Sequence, residues 1–315
     1  MPEPLLSIVI ANYNYGRFLE DAIKSVIAQD MGDKVELIIC DAASTDNSVE
    51  VIKKYTNGLP PNTSYFDWIE SNPSLATNGQ QLTTKVTWWC SEEDGGQSAA
   101  FNKGFSHAQG RFLTWLNADD VMLPGTIKKL KLAIDNRPEC EWFVGGVLWL
   151  DPEMKIIRCG RGRPFSNIRY KSGNVSVWGP SSFFTKRLLD SVGGVDERFF
   201  YTMDTDLWLR FAHKAGARYA PFSDYAWGLR MHPDAKMSGH NFTAGTYQGG
   251  ISGSGVKSDR KQLQLDKEKA LKREYFTPKK TGQLDRILSI SWPGAIGGLL
   301  DTWRFRGKHY SEVFR

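Results

Sequence analysis

The strongest constraint on the fold is an alternation of short apolar runs with amphipathic stretches in the first half of the chain. Residues 5–11 ("LLSIVIA") and 35–40 ("VELIIC") are apolar and rich in β-branched side chains, which predicts two buried strands. Apolar residues at helical spacing follow each run, at 19–28 and 49–55. Strands that alternate with helices form parallel sheets covered by helices. We therefore expect an α/β fold with a central, mostly parallel sheet flanked by helices.

The alternation continues along the chain after an interruption. Residues 56–85 are rich in turn-forming residues, so we expect an inserted loop there, either a functional binding loop or a tolerated surface insertion. Beyond it, the pattern predicts a strand, a glycine turn and a helix within 86–110, a helix at 124–135 with Pro124 at its start, strands within 141–151, and helices at 186–192 and 206–215.

Polar side chains follow three of the predicted strands at the point where each strand ends. Asn12 follows the first and Asp41 the second, and Asp119 and Asp120 end the apolar run "FLTWLNADD". Ligands of open α/β sheets bind beyond the carboxyl ends of the strands, so these side chains are expected to converge on one crevice. Two adjacent carboxylates disfavour each other's ionisation unless a cation is nearby. Either this pair faces water in a turn, or a cation binds there.

Charge is unevenly distributed over the 315 residues. The net charge is +5, but residues 257–280 and the last fifteen residues are rich in Lys and Arg. This asymmetry fits an acidic partner or an anionic membrane surface, and it equally fits a solvated helix followed by a tail. Residues 286–303 are apolar but interrupted by Pro293 and glycines, so they are expected to lie on a membrane rather than cross one. No nucleic-acid partner is expected.

The four cysteines are Cys40, Cys90, Cys140 and Cys159. None forms a C-x-x-C pair or shows zinc-like spacing with histidine. Reduced thiols and a cytoplasmic location are therefore expected.

Six motifs in order give the chain a family resemblance. They are "SIVIANYNYGRFLEDAIKSVIAQ", "ELIICDAASTDNS", "SEEDGGQSAAFNKGFSHAQG", "FLTWLNADD", "GPSSFFTKRLLDSVGGVDERFFYTMDTDLWLRFAHKAG" and "RMHPDAKMSG". Over residues 7–238 the chain resembles the family 2 glycosyltransferases, inverting enzymes with the GT-A fold. The resemblance implies a glycosyltransferase domain at 1–240, with a donor part at 1–120 and an acceptor part at 121–240. Residues 241–315 would be a linker and a basic, aromatic helical segment.

The resemblance also implies a site for a nucleotide sugar. Its residues would be Ala11, Asn12, Tyr13, Asp41, Gly96, Gln97, Asn102, Asn117 and Asp119. Asp41 would accept a hydrogen bond from the N–H of a pyrimidine base, which favours a UDP-sugar. The family commonly has two acids at this point, whereas Ala42 follows Asp41 here.

The motif "NADD" resembles the family's D-x-D-type metal motif, with Asn117 where an acid is more usual. Hard carboxylate oxygens suit Mn²⁺ or Mg²⁺. Asp120 is expected to be the direct metal ligand. Asp119 is expected to bind the metal as well, to contact the ribose, or to support the metal ligands without touching the metal. His232, in "RMHPDAK", is expected either to reach the metal or diphosphate or to be structural.

An inverting transfer needs a general base, and the resemblance assigns that role to an acid before an L-W-L-R helix. Asp204 is the preferred residue, with Asp206 as the competing candidate. Residues two apart do not share a helix face, so only one of them faces the crevice. Arg210 is expected to pair with one of these acids. Met203 stands where the family often has Glu.

These observations predict transfer of a sugar from a nucleotide diphosphate to a hydroxyl of a saccharide or lipid-linked saccharide, in polysaccharide or glycoconjugate synthesis. One alternative is a non-catalytic nucleotide-sugar or carbohydrate-binding module on the same fold. A nucleotidyltransferase is another, although the turn "ANYNYGRF" after the first strand lacks a glycine-rich phosphate loop.

Overall fold

The fold is described from a computed structural model of the chain. It describes residues 3–29, 35–65, 67, 71, 86–171, 177–235, 240–243, 246–251, 255–274, 276–277 and 292–314. Most of the loop expected at 56–85 lies outside these residues, so its conformation and role remain predictions.

A single large mixed sheet dominates this part of the chain. Its strands follow the spatial order β3-β2-β1-β4-β8-β6-β9-β5, with β7 paired to β6. The strands are β1 (Leu6–Asn12), β2 (Val35–Asp41), β3 (Val86–Ser91), β4 (Phe112–Asn117), β5 (Val121–Met122), β6 (Trp142–Leu150), β7 (Ile156–Gly160), β8 (Ser182–Thr185) and β9 (Ala220–Arg230). A separate antiparallel pair joins β10 (His240–Thr243) to β11 (Thr246–Ile251).

Helices flank this sheet. The described ones are α1 (Gly16–Ile27), α2 (Ser48–Tyr55), α3 (Gln97–His107), α4 (Thr126–Asn136), α5 (Asn167–Lys171), α6 (Lys186–Ser191), α7 (Met203–His213), α8 (Gly255–Arg273), α9 (Trp292–Phe305) and α10 (Tyr310–Val313). The sequence-based α/β prediction is confirmed, and each helix expected in the first half is present. None of the described helices is both long and apolar enough to cross a bilayer.

The first half of the sheet is entirely parallel, and in the second half β6 and β9 form a further parallel pair. β1 lies between β2 and β4, all parallel, and β3 extends β2 in the same direction. β8 then runs antiparallel to both β4 and β6, so the sheet is mixed rather than mostly parallel. In the parallel part, Asn12 pairs with Asp41, and Asp41 pairs with Ser91. The polar strand ends therefore meet at one edge, as the sequence predicts.

The core has two layers because strand side chains alternate between the sheet faces. Ile8 and Ile10 of β1 belong to one buried cluster, and Val9 belongs to the other. Helix α3 packs closely on the second face at Gly104, where an added Cβ would lie 2.3 Å from a methyl carbon of Val9. This close packing fixes the start of α3 beside the strand ends.

Two elements differ from the sequence-based expectation. Helix α4 begins at Thr126, after Gly125 in the left-handed region (φ 71°), so Pro124 precedes the helix instead of starting it. The stretch expected to be a linker after residue 240 contains the paired strands β10 and β11. Its Gly, Ser and Thr content suggested a loop, and backbone pairing supplies the structure that composition did not reveal.

Candidate functional site

The ends of β1, β2 and β3 are joined through the carboxylate of Asp41. Its Oδ1 accepts from Asn12 Nδ2 at 2.6 Å and from Ser44 Oγ at 2.6 Å. Its Oδ2 accepts from the Ser44 N–H at 3.0 Å and from Ser91 Oγ at 2.6 Å. Asp41 is buried, and both oxygens are already engaged by the protein. This arrangement differs from the expectation that Asp41 accepts directly from a nucleobase, because Asp41 instead organises the crevice wall.

The turn after β1 presents an aromatic side chain to solvent. Tyr13 is 60% exposed and directly follows the buried Asn12. Asn14 has a left-handed backbone (φ 55°) and is held by the Thr45 N–H, which donates to Asn14 Oδ1 at 2.8 Å. Ala11, near the end of β1, is partly buried beside this turn. A fixed backbone with an exposed ring offers a planar surface for a base.

A hydrogen-bonded chain runs from α3 to the end of β9. Gln97 Nε2 donates to Asn117 Oδ1 at 3.1 Å, and Asn117 Nδ2 donates to Asp120 Oδ2 at 2.7 Å. The Arg230 N–H donates to Asp120 Oδ1 at 3.0 Å. Gly96, which precedes α3, has φ 103°, a conformation that a side chain disfavours. Gly96, Gln97 and Asn117 therefore lie together, as the sequence analysis expected.

Asp120 is fully buried. Both of its oxygens accept hydrogen bonds from within the protein. Burial raises the pKa of Asp120 well above its usual value, and the neighbouring charge of Asp119 adds to the effect. The choice of Asp120 as the direct metal ligand stays a prediction, and in this structure its carboxylate bonds to Asn117 and to the Arg230 N–H.

Asp119 takes the exposed side of the acidic pair. Its Oδ2 lies 3.0 Å from His232 Nε2. The ring of Phe18 packs against His232 with centroids 4.5 Å apart, and Tyr15 contacts it edge-on at 5.8 Å. Burial and the charge of Asp119 raise the pKa of Tyr15 to about 12, so its hydroxyl stays protonated near neutral pH.

The segment around His232 is fastened to helix α1. Arg230 Nη2 donates to Asp21 Oδ2 at 2.7 Å, and its guanidinium lies 4.9 Å from the centroid of the Phe18 ring. Tyr15 Oη donates to the backbone oxygen of Asp234 at 2.8 Å, and Arg17 forms an ion pair with the Asp234 carboxylate. These contacts hold His232 over the exit of β4.

Asp119 and His232 suit a divalent cation as a partial ligand set. Carboxylate oxygen and imidazole nitrogen are both metal ligands, and here they already point at each other. The imidazole Nδ1 of His232 is buried and has no hydrogen-bond partner. In the described residues, no cluster of three or more His, Cys, Asp or Glu side chains is placed to hold a metal. Further ligands would therefore have to come from a bound diphosphate or from water.

Asp204 lies at the start of α7, beside the strand that leads to Asp119. A methyl group at Gly179 would lie 3.8 Å from Asp204 Oδ2 and 3.7 Å from Trp115 Cζ2, so these three residues are neighbours. Oδ1 of Asp204 accepts from the Thr205 N–H at 2.6 Å. Burial raises the pKa of Asp204, and the hydrogen bonds from Thr205 oppose that rise. A carboxylate with a raised pKa is a better proton acceptor than an ordinary aspartate.

Asp206 is part of the protein interior. It is fully buried and forms an ion pair with Arg210, which donates from Nε at 2.8 Å. Nη1 of Arg210 donates to the backbone oxygens of Val192 and Gly194. The expectation that Arg210 pairs with one of the two acids is confirmed, and the partner is Asp206.

Helix α8, which lies after the paired strands β10 and β11, contacts the segment before Asp204, and the sequence analysis missed this contact. The buried carboxylate of Glu268 accepts from three consecutive backbone N–H groups, those of Phe200, Tyr201 and Thr202, at 2.8–2.9 Å. These residues lead directly into α7. The basic residues of this region suggested an acidic partner, an anionic membrane surface or a solvated helix, so no sequence signal indicated this contact.

Lys272 lies one helical turn beyond Glu268 on α8. Its Nζ donates to Thr202 Oγ1 at 3.0 Å. Burial lowers the pKa of Lys272, while the charges of Asp206, Glu268 and Asp204 oppose that effect. Its positive charge in turn favours the ionised form of Asp204.

Asn102 is used structurally. Its side-chain amide donates to the Val195 backbone oxygen and to Glu197, and its Oδ1 accepts from the Val195 N–H at 2.9 Å. These bonds attach α3 to the turn before α7. The nucleotide contact expected at Asn102 stays a prediction, and in this structure its amide bonds to Val195 and Glu197.

Comparison with known proteins shows a family resemblance in the first half of the chain. The model of glycosyl transferase family 2 matches residues 7–146. An uncharacterized glycosyltransferase of Nostoc is 34% identical over 125 residues, which are 40% of this chain and 31% of the relative. One from Methanocaldococcus jannaschii is 23% identical over 219 residues, 67% of this chain and 65% of the relative. The chain thus spans less than two thirds of either relative.

The fold is shared with a solved structure. Staphylococcus aureus TarS, residues 1–349 in complex with UDP-GlcNAc, superposes with a TM-score of 0.52 at 18% identity, covering 76% of this chain and 62% of TarS. The strand order, the matched family model and this superposition agree. Over residues 7–146 the chain is similar to glycosyl transferase family 2, and it shares the GT-A fold of the glycosyltransferase structures that superpose on it.

Proposed function

We propose that the protein is a metal-dependent, inverting glycosyltransferase that moves a sugar from a nucleotide diphosphate donor to a hydroxyl of a saccharide or lipid-linked saccharide. One observation carries this proposal. Asp119 faces His232 at the exit of β4, and the half-buried carboxylate of Asp204 and the Trp115 ring of β4 both lie beside Gly179. The proposed proton acceptor thus lies near the strand that leads to the proposed cation site.

The donor base and ribose would bind at the carboxyl ends of β1 and β2. Tyr13 offers its exposed ring for stacking, and the Gly96–Gln97 turn offers backbone and amide groups close to the crevice. Asn12 and Asp41 fix this wall rather than meet the base directly, because they bond to each other. A UDP-sugar is favoured, since the TarS structure of the same fold is a complex with UDP-GlcNAc. Asn102 is left out of this site.

Asp119 and His232 would hold Mn²⁺ or Mg²⁺, with Asn117 and Asp120 positioning the loop between β4 and β5 behind them. A cation held there would supply positive charge that stabilises the departing diphosphate. To bind it, His232 must present an unprotonated Nε2, which leaves its proton on Nδ1. The Phe18 and Tyr15 rings keep the imidazole in place.

Asp204 would act as the general base. It accepts the proton of the acceptor hydroxyl while that oxygen forms a bond to the anomeric carbon, and the bond from that carbon to the diphosphate oxygen breaks on the opposite face. The electron pair of the breaking bond leaves with the diphosphate, which gives inversion. Lys272 and the first turn of α7 favour the carboxylate form that this step requires.

For the acceptor and the pathway, only the chemical class is proposed. A saccharide or lipid-linked saccharide in polysaccharide or glycoconjugate synthesis agrees with the family resemblance and with the open side of Asp204. A cytoplasmic location agrees with four free cysteines, three of which are buried.

A thermal-shift panel of nucleotide sugars with Mn²⁺ tests this function without knowledge of the acceptor. We expect a UDP-sugar to raise the melting temperature only when the metal is present, and we expect slow donor hydrolysis that a chelator stops. A shift without any turnover would instead indicate a binding module. Absence of a shift with every nucleotide sugar would refute the proposal.

A further inference from the structure

Helix α9 carries an apolar stripe on its outward face. Ile296, Leu299, Leu300 and Trp303 are 50%, 71%, 61% and 86% exposed. Their spacing of i, i+3, i+4 and i+7 places them along one side of the helix. In a soluble protein, a row of large exposed apolar side chains marks a surface that contacts something else.

The opposite face of α9 packs against strand β7, so the stripe cannot face the protein interior. The Cys159 N–H donates to Thr302 Oγ1 at 2.9 Å, and a Cβ at Gly298 would lie 3.0 Å from the Cys159 backbone oxygen. Asp301 accepts from Arg161 Nε at 2.7 Å and from Tyr225 Oη at 2.5 Å. The helix is therefore mounted with its apolar side outward.

Positive charge borders the stripe. Arg304, Arg306 and Lys308 follow Trp303 closely and are exposed. Of the acids within 292–314, Asp301 is held by Arg161 and Tyr225, and Glu312 lies near the end of this range. An apolar helix face containing Trp and bordered by Lys and Arg is typical of helices that lie in the interface of an anionic bilayer.

We propose that α9 is a docking surface for an anionic lipid membrane. Apolar side chains would enter the boundary between headgroups and acyl chains, while the adjacent basic residues would contact lipid phosphates. The stripe exposes only on the order of 500 Å² of side chain, less than the ~800 Å² that each partner contributes to a standard protein interface. The charge and the small area both favour a lipid surface over a second copy of the chain.

Vesicle flotation tests this proposal with the full chain and no nucleotide, so its outcome is separate from that of the transferase proposal. Vesicles of phosphatidylcholine with about 30% phosphatidylglycerol are compared with phosphatidylcholine alone. We expect binding to the anionic vesicles that weakens with added salt. The double variant Leu299→Ser, Trp303→Ser should bind at least about tenfold more weakly, because it removes two of the four inserted groups.

Leu132→Ser is the matched control, because Leu132 is 56% exposed on helix α4, away from the stripe. It should bind vesicles like the wild type, and both proteins should melt at similar temperatures. The triple variant Arg304→Gln, Arg306→Gln, Lys308→Gln should lose the preference for anionic vesicles. The proposal is overturned if the wild type does not float with anionic vesicles, or if the double variant floats equally well. It is also overturned if sedimentation shows a dimer that the double variant abolishes.

Discussion

The Oδ2 atom of Asp119 lies 3.0 Å from Nε2 of His232, although the two residues are 113 positions apart in the sequence. Asp119 follows β4 and His232 follows β9, so the two halves of the domain each supply one side of the contact. The neighbouring Asp120 is turned inward and bonds to the Arg230 N–H, two residues before His232. The hydrogen bond of Asp120 to the Arg230 N–H thereby helps to position Asp119 and His232 next to each other.

Substitutions in the acidic pair separate the two roles. Asp119→Asn should weaken metal-dependent UDP binding at least about tenfold, because one of two protein ligands is lost. Asp120→Asn should leave that affinity within about threefold but lower the melting temperature, because the amide loses one of the two buried acceptor bonds, at about 1–3 kcal/mol. Titration calorimetry with UDP and Mn²⁺ measures both. The reverse pattern would support Asp120 as the direct ligand.

Substitution of the two acids of α7 should have different effects: one variant should lose activity and the other should lose stability. Asp204→Asn should keep donor binding and reduce turnover by about 10²- to 10⁴-fold, since a positioned base is removed. Asp206→Asn should instead destabilise the fold by about 3–5 kcal/mol, because the guanidinium of Arg210 is left buried without its counter-charge. Denaturant unfolding and donor hydrolysis are measured on both variants. If Asp206→Asn proves stable but inactive, the base must be reassigned.

The pH dependence of turnover should reflect the raised pKa of the buried Asp204. Its pKa is raised by burial, so protonation inactivates the base at a higher pH than for an exposed aspartate, and turnover should fall as the pH drops through that raised value. Lys272→Met removes a positive charge that favours the carboxylate. The acid limb of the turnover profile should therefore move to still higher pH, with donor affinity unchanged.

Lys272→Arg is the matched control for this shift, because it keeps the charge. Its acid limb should stay near that of the wild type. An acid limb that does not move in Lys272→Met would mean that Lys272 acts only through its contact with Thr202.

Gly179 probes the space beside the base. Gly179→Ala would place a methyl group 3.8 Å from Asp204 Oδ2 and 3.7 Å from Trp115, at ordinary contact distances. Stability should therefore change by less than about 0.5 kcal/mol, whereas turnover should fall because the methyl group occupies the approach to the carboxylate. Melting curves and donor hydrolysis check this. Gly104→Ala, which would clash with Val9, should show the opposite result: lower stability.

The parallel half of the fold was predictable because its signals are local. Apolar β-branched runs that end in Asn12, Asp41 and "NADD" specified three strands and the edge where they meet. The choice between Asp119 and Asp120 was not predictable, because adjacent carboxylates look alike until the packing of β9 shows which one faces inward. The sequence preference between Asp204 and Asp206 agrees with the buried ion pair of Asp206 and Arg210.

The contact of the C-terminal part with the segment before Asp204 could not be predicted from the sequence. Its basic composition is that of a solvated helix, and the contact of Glu268 with residues 200–202 joins segments more than sixty residues apart. Such a contact depends on tertiary packing and leaves no periodic pattern. The strands at 240–251 were missed for the same reason, since their glycine-rich composition gives little strand signal.

The carboxylate of Glu268 binds the backbone just before the helix that carries Asp204. During synthesis, that helix leaves the ribosome before its anchor does. At that stage the strand ends proposed to bind the nucleotide have been synthesised, but Asp204 still lacks the contact with Glu268 that holds the start of its helix. On the proposed function, activity would therefore be acquired late, when α8 docks, and a chain truncated before α8 would keep the proposed donor site but leave Asp204 without this support.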